Sequence, residues 1–481
     1  MKATLIFPGL VLSGWASFGK GKADANFVPY GLAYISAYAK KEGHEIDLLD
    51  FRKLTGWDQF EAEIKKRSPG LFAFSSMSID FPTAAEAAAR IKAADKASIV
   101  VIGGVHPTVA LEEVKKLPQF DHIITGEGEV SFSALLAALE KKEKAERVIQ
   151  GISADVAALP YPDRELFDYR NGEMINAWQD YMEPPFVSII AGRGCPFRCS
   201  FCQPAERMIF GGKAKIRKVP DIIGEIKYLY GEYNYNSLLI HDDLFTVNRD
   251  HVLEFCKAYK AAGLPASFAC QARADFIVNN EDAVKEMAGA GLKCFLIGFE
   301  SGSQRILDLL KKGTTVEQNR QAAKLCDKYG IKMFANFMLG VPGETQDEVK
   351  ETVKFIRELK PAYPSVAFFT PFPGTELGDY CASHDLLLDN TGAFYNRSFN
   401  AGGKLKGIDY AFLRAAAERA QDYYRAAPSA PEPGGTSAGA APRGRAGSIL
   451  QKLRKESAGS VLKKVFRRLR LKWLYLKYGL Y

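Results

Sequence analysis

Residues 191–204 read AGRGCPFRCSFCQP and place Cys195, Cys199 and Cys202 within eight residues, with glycines before them and a proline after. Three thiols so close together are a metal-binding set, and three chemistries compete for them. Zinc closes with four ligands, usually in two pairs, so the fourth would have to come from a distant Cys or His. A disulfide would leave one thiol over. A [4Fe–4S] cube held by three cysteines leaves one iron without a protein ligand, an open position for a substrate or cofactor. The other five of the eight cysteines (256, 270, 294, 326 and 381) show no ligand spacing and read as buried, inert thiols. Cys270 and Cys294 fall on expected strands from which they could reach a cavity.

The elements that must carry this loop form two alternating series. In the first 140 residues ATLIFPG, EIDLLD, LFAFSS, SIVVIGG and HIITGEG read as five strands apolar on both faces, with helical stretches such as 31–42 and 82–93 between them. That alternation means an open, doubly wound parallel sheet. Ligands of such sheets sit beyond the carboxyl ends of the strands. Small residues gather there: Ser75, Ser76 and Ser78 after the third strand, Gly103 and Gly104 after the fourth, Thr125, Gly126 and Gly128 after the fifth. Each cluster alone could be a tight turn; three on one rim point to a broad polar ligand.

Residues 141–182 form a connector. Over 183–400, FVSIIAG, SLLIHDD, ASFACQA, CFLIGFE, MFANFML and SVAFFTP read as six strands of a partial (β/α)6 TIM-type barrel, whose chemistry lies on the loops after the strands. The cysteines follow the first of them. Phe368, Phe369, Phe372 and Tyr363 are placed at the barrel mouth or in its core. A helical extension spans 401–426, a Pro/Gly/Ala/Ser linker 427–447, and a basic tail 448–481.

The composition is that of a globular chain. The net charge is +8, but residues 441–481 carry twelve Lys/Arg against one Glu, so the rest is slightly acidic. Nucleic-acid binding through the body of the chain is therefore disfavoured. MKATLIFPGL reads as a first strand and not a signal peptide, no run of about 18 apolar residues occurs, and the sparse cysteines fit a reducing compartment, so the expected location is cytoplasmic. In the tail, Val461, Leu462, Val465, Phe466, Leu469, Trp473 and Leu476 recur at helical spacing opposite Lys463, Lys464, Arg467, Arg468, Arg470 and Lys477. That pattern suits an anionic membrane surface, with Trp473, Tyr475 and Tyr478 at headgroup depth; the alternatives are a helix docked on the barrel or on a partner protein, and RNA binding.

Cys195-x3-Cys199-x2-Cys202, with Phe201 before the last cysteine and the motif after the first barrel strand, resembles the radical S-adenosylmethionine enzymes. IHDDLF, GFESGS and MLGVPGET resemble that family's cofactor-contacting strand ends. The first domain, with VPYGLAYISAYAKKEGHEIDLLD and GGVHPT, resembles the cobalamin-binding domain that precedes the barrel in one branch. The resemblance implies a cube whose fourth iron is chelated by the amino and carboxylate groups of S-adenosylmethionine, and reductive cleavage to a 5′-deoxyadenosyl radical. It implies Phe201 near the adenine, Glu300 on the ribose hydroxyls with Ser301 assisting, Asp242 and Asp243 at the methionine amine, and Arg273 at its carboxylate; for these last three a structural ion pair or a substrate contact is the alternative. It also implies cobalamin against Ser76, Gly103, Gly104 and Gly126, and an electron donor such as flavodoxin or ferredoxin. The Asp-x-His-x-x-Gly pattern that supplies a lower cobalt ligand is absent, since Phe51 and Arg52 follow Asp50, and neither His44 nor His106 is assigned that role. The expected activity is methylation of an unactivated carbon of a lipid-like or secondary-metabolite substrate. The alternatives are radical cyclisation, ring contraction or oxygen insertion on the same architecture, and a non-catalytic metal-binding module.

Overall fold

A computed structural model describes residues 1–9, 28–171, 183–202, 204–388, 403–425 and 473–480. Six strands build the first sheet: β1 (Lys2–Phe7), β2 (Glu45–Asp50), β3 (Leu71–Ser75), β4 (Ile99–Gly103), β5 (His122–Thr125) and β6 (Val148–Gln150), in the order β2-β1-β3-β4-β5-β6. All pairs are parallel. Period-2 alternation sends Leu5, Ala73 and Val101 to one face and Ile6, Phe72 and Ile102 to the other, each into its own core. Helices Tyr30–Lys41 and Glu129–Glu140 cover the first face, Phe81–Ala94 the second.

Five strands are expected from sequence and six are found. Val148–Gln150 lies within the stretch read as connector and adds to the sheet edge beside β5. Three half-exposed residues after a charged run carry too little pattern to show as a strand.

The second series begins with β7 (Phe186–Ile189), continues through a short antiparallel ribbon of β8 (Gly192–Arg193) and β9 (Lys215–Ile216), and then gives β10 (Ser237–Ile240), β11 (Ser267–Ala272), β12 (Leu292–Glu300), β13 (Lys332–Leu339) and β14 (Tyr363–Phe368). The parallel strands run β14-β13-β12-β11-β10-β7, the expected six-stranded partial barrel. Phe186, Leu239, Ala269 and Cys294, with Leu296, Phe334 and Tyr363 against them, fill the inside of the barrel. Phe368 and Phe369 are core residues, each 1% exposed, which settles those two as packing.

Helix Tyr410–Arg425 closes the side of the barrel, and the chain end docks on it. Tyr475 donates to Asp422 at 3.0 Å, Arg419 donates to the Leu480 carbonyl at 3.0 Å, and the Tyr478 ring meets Phe412 edge-on at 5.2 Å. Tyr475 is therefore buried against protein and not free for a headgroup layer, while Trp473 and Leu476 stand 59% and 65% exposed. The linker at 427–447 and the tail up to residue 472 lie outside the described residues.

The carboxyl ends of both sheets face one space. Tyr30 donates to the Ser188 carbonyl at 3.0 Å, and Arg164 reaches the same oxygen at 2.8 Å. At the rim of the first sheet Gly104 takes φ +101°, and a Cβ there would lie 2.8 Å from both the nitrogen and the oxygen of Ser76. Gly104→Ala is expected to destabilise the fold by about 1–3 kcal/mol, the scale of a strained left-handed residue with a clash. Urea unfolding reads this; an unaltered midpoint would mean that the strand ends relax freely.

Candidate active site

Three fastenings set the cysteine loop. Asp242, after β10, accepts from the Ala191 amide at 2.7 Å; Asp243 accepts from the Gly194 amide at 2.8 Å. Gly194 takes φ +84°, and a Cβ there would stand 2.6 Å from the Lys213 carbonyl oxygen, so the turn that launches the loop requires glycine. Farther on, Ser200 donates from its amide to Leu310 and from its hydroxyl to Leu309, both at 2.9 Å, and its carbonyl accepts from Leu377 at 2.9 Å.

So held, Cys195, Cys199 and Cys202 line one cavity of about 260 Å³ at the barrel mouth. None of the eight cysteines is in a disulfide. These three are partly or fully exposed, whereas the other five are buried. Burial pushes the thiols of Cys256, Cys294 and Cys326 up to about 12 and that of Cys381 to about 11, which makes them inert. Cys270 and Cys294 line neither of the two cavities described here. Among the described residues no three His, Cys, Asp or Glu groups converge as the ligands of a single ion would. A cube bound at its corners asks for separated thiols around one space, and the loop supplies them.

The walls of this cavity are charged. Glu300 ends β12 at φ +61°, where the register with β13 shifts, and its carboxylate accepts from Lys312 at 2.9 Å. Gly298 leaves room for this pair: a Cβ there would sit 2.7 Å from the Lys312 nitrogen. Burial works to lower the Lys312 pKa, but the Glu300 carboxylate and the Cys199 thiol more than offset it and hold the ammonium above its ordinary value. Arg273 lies over the Phe197 ring at 3.6 Å and donates to the Lys312 carbonyl at 2.8 Å. Phe201 lines the same cavity. The side-chain oxygen of Gln271 is buried there with no partner among the described residues, an acceptor open to a ligand's donor.

Two residues expected at this cavity do not reach it. Ser301 is fully buried, sharing a hydrogen bond with Thr352 at 3.0 Å and accepting from the Ser303 amide at 3.1 Å. Asp242 points into the protein, and only its neighbour Asp243 faces the cavity. Strand alternation cannot assign either one once the strand has ended at Ile240, so the choice between adjacent aspartates is not readable from the chain. MLGVPGET contributes no lining residue; Glu344 instead accepts from the Gly340 amide at 2.6 Å and shapes its own turn. Lys312, Gln271 and Asn336 also line the cavity, beyond the residues expected there. Gln271 and Asn336 carry a signal, as polar side chains interrupting the apolar runs ASFACQA and MFANFML, whereas Lys312 carries none.

A second cavity of about 330 Å³ lies between the domains, with Ser76, Gly103, Gly104 and Gly126 on one side and Ile190, Arg193 and Phe210 on the other. Its glycine edge presents backbone without side chains, a flat seat for a broad ring system. His106 is stacked on Phe81 at 3.9 Å, hydrogen-bonded to Ser78 at 3.1 Å and held down to about 4 by burial; His44 sits by the amino terminus. Neither lines this cavity, whereas His241 does. Asp243 lines both cavities, so the two spaces lie on either side of this residue.

Comparison with known proteins matches residues 189–356 to the radical SAM superfamily and residues 18–136 to the B12 binding domain. An uncharacterized methyltransferase of Pyrococcus horikoshii is 30% identical over 382 residues, covering 75% of this chain and 80% of that protein. The chain belongs to the cobalamin-binding radical S-adenosylmethionine enzymes. The anaerobic magnesium-protoporphyrin IX monomethyl ester cyclase of Rubrivivax gelatinosus is 28% identical over 376 residues, 75% of this chain and 67% of that one. The fold is shared with the radical S-adenosylmethionine methyltransferase TsrM from Kitasatospora setae, solved with cobalamin and a [4Fe-4S] cluster bound, at a TM-score of 0.60 and 18% identity over 80% of this chain and 75% of that one. A [4Fe–4S] cluster, S-adenosylmethionine and cobalamin are the cofactors of this radical S-adenosylmethionine enzyme. The separated thiols, the orphaned Gln271 oxygen and the glycine edge fit them.

Burial pushes the Asp242 carboxyl up to about 7 against the opposing hydrogen bonds from Gly192 and Ala191. The folded state therefore binds this proton more tightly than the unfolded chain, whose value is near 3.8, and the group's contribution to stability falls as pH rises between those limits. Asp242→Asn, which keeps an oxygen for Ala191, should gain stability relative to the parent as pH rises from about 4 to about 7, with the difference constant above that. Denaturant titrations across this range read it; a pH-independent difference would mean that Asp242 ionises there without cost.

Proposed function

We propose that this enzyme methylates an unactivated carbon of a lipid-like or secondary-metabolite substrate held where the two cavities meet. The observation that supports it is the shared wall at Asp243: a substrate there lies beside the S-adenosylmethionine site and the corrin site at once. When bound, the cluster and S-adenosylmethionine supply hydrogen abstraction and cobalamin supplies the methyl group. The chain's own work is positioning. Cys195, Cys199 and Cys202 hold the cluster; Glu300, set by Lys312, accepts from the ribose, and Ser301 acts on it only through the turn it braces. Asp243, more than Asp242, takes the methionine ammonium, Arg273 its carboxylate and Phe201 the adenine. Ser76, Gly103, Gly104 and Gly126 seat the corrin ring. Ile190, Ile209 and Phe210 make the inter-domain wall apolar, which suits a greasy substrate and excludes water from it. A flavodoxin or ferredoxin supplies the electron from the side on which Cys202 is exposed.

A cyclisation on the same scaffold is the second reading, favoured by the similarity to a protein named as a cyclase. Products separate the two. Anaerobic turnover by a methylase forms 5′-deoxyadenosine together with S-adenosylhomocysteine, whereas a cyclase forms 5′-deoxyadenosine alone. Cys199→Ala should lose both the cluster signal and all S-adenosylmethionine cleavage; retained cleavage would overturn the cluster assignment.

We infer that the tail draws the enzyme to an anionic membrane surface. No helix among the described residues is long and apolar enough to cross a membrane. Trp473 and Leu476, three residues apart and both exposed, continue the apolar stripe read in the preceding sequence, with twelve Lys/Arg in 441–481 to meet lipid phosphate. The full chain is expected to sediment with vesicles containing anionic lipid and to release at high salt, while a chain ending at residue 427 stays in the supernatant. Equal behaviour of the two forms would remove the membrane role.

A further inference from the structure

The segment that carries the cluster thiols leaves the fold through β8 and re-enters it through β9. Both stems are tied to one carboxylate of the other domain. Glu127 follows β5, between Gly126 and Gly128. Its Oε1 pairs with Nη1 of Arg193 on β8 at 3.2 Å, and its Oε2 pairs with Nζ of Lys215 on β9 at 2.5 Å. Arg193 also pairs with Glu129 at 2.7 Å and lies over the Tyr34 ring at 4.9 Å; Lys215 also reaches Ser153. The Glu127 side chain is only 3% exposed, so these pairs are little screened.

Glu127 also lines the inter-domain cavity, on the glycine rim assigned to the corrin ring, while Arg193 stands two residues before Cys195. Lys215 lines neither of the two cavities. A buried carboxylate shared by two cations cannot release either one cheaply. A shift of the rim on corrin binding must therefore draw both stems of the thiol loop with it, and filling the loop with its cluster must act back on the rim.

We propose that Glu127, through Arg193 and Lys215, is a positioning residue that couples the cobalamin site to the cluster loop, so that each cofactor changes the affinity of the other. This rests on the reading that cobalamin occupies the inter-domain cavity. Coupling between binding sites is reciprocal and can be read from either side.

The test titrates the full-length protein anaerobically with hydroxocobalamin, once with the cluster reconstituted and once with it stripped by chelator. The parent should show affinities that differ by at least about fivefold between the two states. Lys215→Met should still reconstitute its iron and sulfide and still bind hydroxocobalamin, but with that ratio reduced toward one. Lys215 lines neither cavity, and although its ammonium also lies over the Phe210 ring at 5.3 Å, loss of that contact would alter both affinities alike, so a change in their ratio reports on the ion pairs. Glu127→Gln should act in the same direction; if it does not fold, Lys215→Met decides alone. Equal affinities in both states of the parent, or a ratio undiminished in Lys215→Met, overturns the coupling. A parent that takes up no hydroxocobalamin in either state overturns the cobalamin reading instead.

Discussion

Parallel strands deliver their loops to one edge, and a reaction that uses two cofactors needs two such edges against one chamber. Buried charge fastens the connector to the barrel: Glu225, fully enclosed in the barrel wall, pairs with Arg217 at 2.5 Å and with Arg164 at 3.2 Å, and Arg164, which also holds the Ser188 carbonyl on β7, lies over the Tyr30 ring of the first domain at 5.5 Å. Taking three charges out of water offsets most of what their attraction returns, so such a network contributes little net stability. What it does contribute is geometry, because a guanidinium with fixed donor directions accepts few alternative docking angles.

The same economy governs the mouth of the barrel. Glu300 is held in a left-handed conformation that non-glycine residues avoid, and its carboxylate is aligned by Lys312, with Arg273 locked against Phe197 and the Lys312 carbonyl. These groups are oriented by one another before any ligand arrives. A ligand that finds its partners already in place loses less on binding than one that must order flexible side chains. The strain at Glu300 sits beside Gly298, the one neighbour whose missing side chain lets the carboxylate and ammonium meet.

Much of this was legible in the chain. The three cysteines announced an incomplete metal site by number and spacing, and the six barrel strands and five of the six sheet strands were visible as apolar runs at regular intervals. Alternation fixes which face a strand residue takes, but it stops where the strand stops. Asp242 and Asp243 lie just past that limit, and so does Ser301, whose hydroxyl turns to a helix partner, Thr352, 51 residues away. Lys312 was invisible for another reason. A lysine in LLKKGTT looks like ordinary surface charge, and only the tertiary placement of that turn over β12 buries it against Glu300.

The chain end shows how a local pattern and a tertiary contact can both be right. Helical spacing in the tail assigned Trp473, Tyr475 and Tyr478 to one environment, yet they divide between two. Tyr475 and Tyr478 are taken by Asp422 and Phe412, while Trp473 and Leu476 keep the outward side. A helix offers faces at a spacing of three and four residues, so Tyr475 and Tyr478 form one row and Trp473 and Leu476 another. The tether that a Pro/Gly linker implies is thus fastened at its far end, back onto helix Tyr410–Arg425. The exposed pair therefore stands at a fixed site on the barrel's flank and not at the end of a free tether.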